Sequence, residues 1–449
     1  MATNEECICA LATPAGGAIG IIRLSGNQAI AITDQIFKAA HGKPLAKASP
    51  NTLHYGEIID KEGHTIDDVL VSVFKAPHSY TGEDSTEISC HGSRYILQQV
   101  LQRLTEVGCR QAEPGEYTRR AYMNGKMDLS QAEAVADLIA STNKATHQMA
   151  LSQLKGHFSN ELDALRAKLL KMNSLLELEL DFSDHEELEF ADRSQLRALA
   201  EEIAQRIHTL AHSFATGNAL KQGVPVAIIG KTNVGKSTLL NRLLHEEKAI
   251  VSNIHGTTRD VIEDTTLIDG ITFRFIDTAG IRATNDEVER IGIERTFQKM
   301  NEARIVIWLL DAMPSAQEID EMEAKNQGKK LLMVYNKMDT LDLPVDKLHI
   351  SARTGENIDQ LEKALVDAAD IPEITENDVI ITNARHYEAL LRADDSLQRV
   401  FESMDMGMSG DIIAEDLRMV LEELGEITGG QISSQETLNN IFKHFCIGK

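Results

Sequence analysis

A chain of 449 residues exceeds what one ordinary hydrophobic core organises, so about three domains are expected. Apolar residues make up 42% and charged residues 25%, near the soluble globular averages, and no apolar run approaches the length of a membrane-spanning helix. A net charge of -24 excludes a protein that coats nucleic acid through an overall basic surface, so any RNA contact must be local or shared.

The five cysteines, Cys7, Cys9, Cys90, Cys109 and Cys446, lack the pairing of a disulfide scaffold and the spacing of a four-ligand zinc site, which points to a reducing cytoplasm. Met1 to Leu11 carries Glu5 and Glu6 and no basic residue, the wrong charge for a secretory or transit signal.

Residues 1–118 mix β-type runs (Ala18 to Leu24, Asp68 to Phe74, Thr86 to Cys90) with a helical run, Tyr95 to Val107, and many Gly and Pro breaks, which predicts an α+β domain. Over 119–220 the texture turns helical: Gln131 to Ile139, Ala145 to Leu154, Asn160 to Leu180 and Arg193 to Phe214 space Ala, Leu and Ile with few breakers, as in a helical bundle. The acidic run Asp181 to Glu189 inside it reads as a solvated stretch without a catalytic role. Residues 221–372 alternate strand and helix in the order of a mostly parallel sheet. The predicted strands there are Val226 to Gly230, Thr265 to Ile268, Thr272 to Ile276, Ile305 to Leu310, Leu331 to Tyr335 and Leu348 to Ser351, with an Asp269-Gly270 hairpin turn. Helical periodicity returns over 373–449 in Ala384 to Phe401, Ile412 to Leu424 and Ser434 to Phe442, so the α/β domain is expected to be inserted into a helical one.

Gly230-Lys-Thr-Asn233-Val234-Gly235-Lys236-Ser237 follows a predicted strand and precedes a helix from Thr238 to Leu244, the context a phosphate-binding P-loop requires. Its glycines let backbone N–H groups approach phosphates at a helix N-terminus, Lys236 neutralises the β and γ oxygens, and the Ser237 hydroxyl can ligate magnesium. Downstream, Asp277-Thr-Ala-Gly280 and Asn336-Lys337-Met338-Asp339 each end a strand at the sheet's carboxyl edge, where open α/β folds bind ligands. Asp339 can accept both the ring N–H and the exocyclic amino group of guanine, a pair adenine does not offer. Lys337 packs along the base and Asn336 ties the loop down. GTP is thereby favoured over ATP, and Ser351-Ala352-Arg353 supplies the loop that completes such base pockets. Thr257 or Thr258 lies where a switch hydroxyl meets magnesium and the γ-phosphate, and Thr258 is the one chosen for magnesium.

The residue after Gly280 is Ile281, where Ras-like proteins carry a glutamine that orients the attacking water. Another group must orient water and supply positive charge. Asn233, with backbone oxygens of the 252–257 loop, could hold a potassium ion in place of an arginine finger, and Glu289, in the run Asp286 to Arg295, could position water through a second water.

Motifs across nearly the whole chain resemble the bacterial MnmE/TrmE family, GTPases that modify the tRNA wobble uridine. They are Ala12 to Gly20 with Arg23-Leu-Ser-Gly26, Tyr80-Thr-Gly-Glu-Asp84, Glu113-Pro-Gly-Glu116, Asn124-Gly-Lys126-Met-Asp128, Gln131-Ala-Glu-Ala134, Gly256-Thr-Thr-Arg-Asp260, the Glu287 to Glu294 run and Cys446-Ile-Gly-Lys449. The resemblance implies an N-terminal folate-binding domain, a helical-bundle domain and an inserted Ras-like P-loop GTPase domain. It implies a homodimer through the N-terminal domain, which binds a tetrahydrofolate derivative as one-carbon donor, with Arg23, Glu87, Lys126 and Lys449 as folate contacts. It makes Asn233, Ser252, Ile254 and Thr257 potassium ligands and Ser237 and Thr258 magnesium ligands. Glu289 becomes the essential carboxylate of hydrolysis and Cys446 a participant in the modification. The implied partners are tRNA and an FAD-dependent MnmG-like protein forming a heterotetramer, installing aminomethyl or carboxymethylaminomethyl groups on carbon five of the wobble uridine.

Two departures are small: the first glycine segment lacks the basic residue many relatives carry there, and His255 replaces a small residue. The tail is no prenylation box, because Gly448 is a poor aliphatic position and no basic cluster precedes it. The rival reading is a non-enzymatic GTPase switch acting in ribosome or RNA assembly, but neither a KH-type loop nor a basic, aromatic-rich strand pair is present.

Overall fold

The computed structural model describes residues 6–181, 193–245, 264–276, 302–326, 328–339, 347–372, 374–375, 378–430, 435–443 and 445–448. The chain falls into two compact units. One comprises Met1–Ala140, Ala150–Ile203 and Arg392–Lys449, the other Ser141–Met149 and Ala204–Leu391. Among the described residues no helix is long and apolar enough to cross a membrane.

The first unit opens with β1 (Ile8–Leu11), β2 (Ile19–Ser25), α1 (Ala29–Ile36), β3 (Phe37–Ala39), β4 (Thr52–Ile59), β5 (Thr65–Phe74), β6 (Ser85–His91), α2 (Arg94–Glu106) and β7 (Arg110–Gln111). These make a seven-stranded sheet in the order β3-β4-β5-β6-β2-β1-β7, antiparallel throughout except for the parallel β1–β7 pair. Period-two alternation in β5 buries Val69, Val71 and Val73 while Asp68 and Leu70 face outward. That inner face packs against apolar residues of α1 and α2, including Ile32, Ile36, Val100 and Leu104. Strand β1 has no polar face: Cys7, just before it, and Cys9 join this core, while Ile8 and Ala10 join Tyr117 and Ala112 in another. Four residues without alternation leave no strand signature, which is why β1 is absent from the sequence reading.

The helices α3 (Glu116–Met123), α4 (Leu129–Ala140), α5 (Lys144–Leu154), α6 (His157–Asp181) and α7 (Arg193–Gln222) follow, matching the expected helical texture. Nearly all of the acidic run beyond Asp181 lies outside the described residues.

The second unit holds a five-stranded sheet of β8 (Val224–Ile229), β9 (Asp264–Ile268), β10 (Ile271–Phe275), β11 (Ile305–Leu310) and β12 (Lys330–Tyr335), ordered β12-β11-β8-β10-β9. All its pairings are parallel except the β9–β10 hairpin. Its turn has Asp269 and Gly270 at φ 47° and 78°, the positive pair that a tight hairpin needs and that Asp-Gly supplies. Helices α8 (Lys236–His245), α9 (Ala316–Asn326) and α10 (Ile358–Ala369) belong to this layer arrangement, and β8 and β11 are buried almost throughout, as strands of a covered parallel sheet must be.

The expected strand Leu348 to Ser351 is corrected to a single bridge, Tyr335 to His349. The Tyr335 N–H donates to the Leu348 carbonyl at 2.9 Å and the Ile350 N–H to the Tyr335 carbonyl at 2.8 Å. The ladder cannot continue because Lys337, two residues on, is left-handed at φ 69°. The chain closes with α11 (Ala384–Asp405), α12 (Gly410–Thr428) and α13 (Gln435–Phe442), the last seating Leu438 and Phe442 against Leu129 and Ala132.

Candidate functional site: a phosphate loop and a base loop

The loop from Gly230 to Ser237 joins the carboxyl end of β8 to the first turn of α8. Three of its residues have positive φ: Gly230 at 152°, Asn233 at 62° and Gly235 at 105°. A side chain at Gly230 would place Cβ 2.4 Å from the Leu309 carbonyl oxygen, and at Gly235 2.2 Å from Asn336 Nδ2, so both positions demand glycine for space as well as conformation. The loop therefore holds its N–H groups together at a helix N-terminus, an anion-binding geometry. Lys236 Nζ curls over it and donates to the carbonyls of Gly230 and Lys231, each at 2.8 Å. Ser237 sits in the first turn of α8, half-buried, and Thr238 beside it is exposed.

Asn336 is buried and links two loops at once. Its Nδ2 donates to the Val234 carbonyl at 2.8 Å, and its Oδ1 accepts the Ala352 N–H at 2.9 Å. The Ser351 hydroxyl, fully buried, donates to Asp339 Oδ1 at 2.8 Å, leaving the rest of that exposed carboxylate facing outward. Arg242, one turn along α8, donates to the Arg353 carbonyl at 2.7 Å and fastens the same loop from the other side. Asn233, Val234, Gly235, Lys236, Ser237, Thr238, Asn336, Lys337, Asp339, Ser351, Ala352 and Arg353 are thus brought to one edge of the sheet.

Two acidic residues here went unnoticed in the sequence. Lys337 Nζ donates to Asp311 at 2.7 Å, and Lys231 pairs with Glu318 at 2.8 Å. Glu318 also accepts the Ser315 N–H at 2.8 Å while its own N–H donates to Ser315 Oγ, a capping box at the start of α9. The hydrogen bond from Lys231, with those from Ser315, holds the Glu318 carboxyl down at about 2. The Ser-x-x-Glu spacing was the available signal for Glu318; nothing local marked Asp311.

In the first unit, Arg23 on β2 faces Glu87 on β6 across the antiparallel register, Nε to Oε1 at 2.8 Å. Its guanidinium lies 5.7 Å from the ring centroids of both Tyr80 and Tyr117 and 3.4 Å from the Gly448 carbonyl. The Tyr117 hydroxyl donates to the Arg23 carbonyl at 2.7 Å, and burial pushes both tyrosines up from their ordinary pKa. Lys126, exposed, donates to the Pro77 carbonyl at 2.9 Å. Cys446 is an exposed free thiol whose carbonyl accepts the Gly115 N–H at 3.3 Å. Beneath these lies an ion network. Arg120 reaches Glu83 at 3.1 Å and Glu116 at 3.0 Å, Arg110 reaches Glu116 at 2.7 Å, and Ser25 donates to Glu83 at 2.7 Å. The Tyr80 to Asp84 and Glu113 to Glu116 motifs thus contribute structural carboxylates.

Ser252, Ile254, Thr257, Thr258, Asp277, Gly280, Glu289 and Lys449 lie outside the described residues, as do Ile281 and His255.

A mostly parallel sheet with a glycine-bearing phosphate loop after its first strand, coupled to an Asn-Lys-x-Asp loop, defines the class of the P-loop GTPases. Family models sharpen that class: "GTP-binding protein TrmE N-terminus" matches residues 7–126 and "MnmE helical domain" matches residues 129–446. Proteins named tRNA modification GTPase MnmE are similar along the whole chain. The one from Phocaeicola vulgatus is 56% identical over 99% of this chain and 99% of its own. Those of Bacteroides thetaiotaomicron and Bacteroides fragilis are each 56% identical over 99% of this chain and all of theirs. The chain belongs to the MnmE/TrmE family.

Proposed function

We propose that this chain hydrolyses GTP and couples hydrolysis to modification of carbon five of the wobble uridine in certain tRNAs, together with an FAD-dependent MnmG-like partner and a tetrahydrofolate one-carbon donor. The observation that carries the nucleotide half is Asn336, whose one buried amide ties the phosphate loop to the base-side loop. Two loops far apart in sequence share a rigid hinge point, so one ligand with a phosphate end and a base end spans them.

In this reading Lys236 exchanges its two carbonyl partners for β and γ oxygens, and the N–H groups around Gly235 receive the phosphates. Asp339, steadied by Ser351, accepts the two guanine donors. A divalent ion fits the hydroxyl of Ser237, with Thr258 as its second protein ligand, and supplies charge neutralisation between the phosphates. A monovalent cation fits Asn233, whose left-handed backbone holds it in the loop, with Ser252, Ile254 and Thr257 completing the set. Because Ile281 cannot orient water, Glu289 takes that role, with Thr258 and Lys236 holding the γ-phosphate. Arg23 and Lys126 offer cations to folate carboxylates and Glu87 an acceptor for pterin N–H groups, with Lys449 closing the site and Cys446 acting in the modification. The domains that serve these roles are 1–118 for folate and dimerisation, 119–220 and 373–449 for the helical part, and 221–372 for GTP hydrolysis, all in the cytoplasm as a homodimer that joins its partner in a heterotetramer.

Hydrolysis is expected to run at least about tenfold faster in potassium than in sodium at equal ionic strength. Equal rates would remove the cation from the mechanism. Mass spectrometry of wobble uridine in tRNA from cells lacking the protein tests the second half: an unchanged nucleoside profile would leave GTP hydrolysis without this product.

A further inference from the structure

The base-side lysine has a partner that no motif names. Strand β11 is buried along its whole length, and Asp311 is the first residue beyond its carboxyl end. Strand β12 pairs with it in parallel, Leu310 opposite Tyr335, so Asp311 and the Asn336-Lys337 segment leave the sheet side by side. Lys337 Nζ meets Asp311 Oδ2 at 2.7 Å, with the two side chains 36% and 33% exposed. The left-handed backbone of Lys337, φ 69°, costs a residue with a side chain roughly 1–2 kcal/mol, so the fold spends stability to aim this lysine. Lys231, in the phosphate loop, is hydrogen-bonded to a different carboxylate, Glu318, and meets Asp311 only as a weaker through-space charge.

An ion pair this exposed adds only about 0–1 kcal/mol to folding, so stability does not explain it. Position does. A free lysine stem carries about 2 kcal/mol of rotamer entropy that a ligand must remove on binding, and a stem fixed beforehand spares the ligand that loss.

We propose that Asp311 is a positioning residue for guanine-nucleotide binding: its carboxylate fixes the Lys337 ammonium so that the aliphatic stem lies ready along the base. This rests on the reading of Asn336 to Asp339 as the guanine-reading loop. A double-mutant cycle with Lys337 reads that role directly.

In the full-length protein, Asp311→Asn raises the Kd of GDP about tenfold, mainly through faster dissociation, with kcat at saturating GTP within about twofold of the parent. Asp311→Glu, which keeps the charge, recovers part of that loss. In a Lys337→Met background the same Asp311→Asn change moves Kd by less than about twofold. An equal loss in both backgrounds overturns the proposal, because Asp311 would then act without Lys337, and so does an unchanged Kd in the parent background. Asp339→Asn separates the two ideas. If it leaves guanine preference over xanthine intact, the base-loop reading itself fails. If it shifts preference while Asp311→Asn is silent, only the positioning role falls.

Discussion

The two candidate sites are built in opposite ways. Around the nucleotide loops, the chemistry is carried by backbone conformation over short runs: three positive-φ residues within Gly230 to Gly235, and one left-handed lysine in Asn336 to Asp339. Around Arg23, it is carried by side chains from β2, β6, the Pro77 to Thr81 turn and α3 and by a backbone carbonyl of the C-terminal tail, gathered about the pair that the antiparallel sheet makes of Arg23 and Glu87. Beneath that second site is a network of buried Arg120, Glu83 and Glu116, joined by the partly exposed Arg110. A site made of local backbone is pre-shaped wherever its motif folds, whereas a site assembled across a sheet depends on the scaffold under it.

That contrast is broken or sharpened by substitution. The largest effect is expected at the nucleotide loops: Asp339→Asn should weaken GTP binding at least about a thousandfold and favour xanthosine nucleotide, since the amide NH2 opposes guanine's exocyclic amino group, donor against donor, but donates to the carbonyl xanthine carries there. The melting temperature should barely move, because Asp339 is exposed. A large loss of stability would mean this loop is also a scaffold. Next comes the network. Glu116→Gln should destabilise by about 3 kcal/mol, because a buried charge pair loses one partner, while the Kd for GDP stays unchanged.

The same variant carries a pH signature. Burial pushes Glu116 up, but hydrogen bonds from Arg110, the Glu113 N–H and Arg120 outweigh it and bring its pKa below the usual carboxylate value. A carboxylate depressed in the folded state stabilises fully above its unfolded pKa and loses that contribution as pH falls through the folded one. The gap in melting temperature between parent and Glu116→Gln should therefore be widest at neutral pH and close progressively below about pH 4.5. A gap that stays constant down to pH 3 would show that the ionised carboxylate is not what stabilises. The smallest effect is expected at the tail. Gly448 has φ 93°, and a Cβ there would sit 2.4 Å from the Leu11 carbonyl oxygen. Gly448→Ala should release the tail at a loss of about 1–3 kcal/mol confined to that segment, seen as faster amide exchange over Phe445 to Gly448 with global melting intact. Unchanged exchange would show that the tail bends elsewhere.

Most of the nucleotide site was legible because its residues fall in runs whose spacing reflects a conformation. The Asp269-Gly270 turn and the helices from Gln131 onward were legible for the same reason. Strands β1, β3 and β7 were not, being two to four residues long. Leu348 to Ser351 looked like a strand from its apolar residues, and the left-handed Lys337 limits it to a bridge. Asp311 and Tyr117 carried no local mark, since what matters is which neighbour the sheet hands them.

By itself, the sequence determined the phosphate loop, the guanine-type loop, the helical texture of 119–220 and 373–449 and membership of the MnmE/TrmE family, because backbone preference and residue spacing are written locally. Only the tertiary structure decided that Asn336 would join two loops, that Asp311 would hold Lys337, and that Arg23 would be ringed by two tyrosines, Glu87 and the tail. These contacts span from 16 to 425 positions of chain, and only tertiary packing brings groups so far apart in sequence within reach.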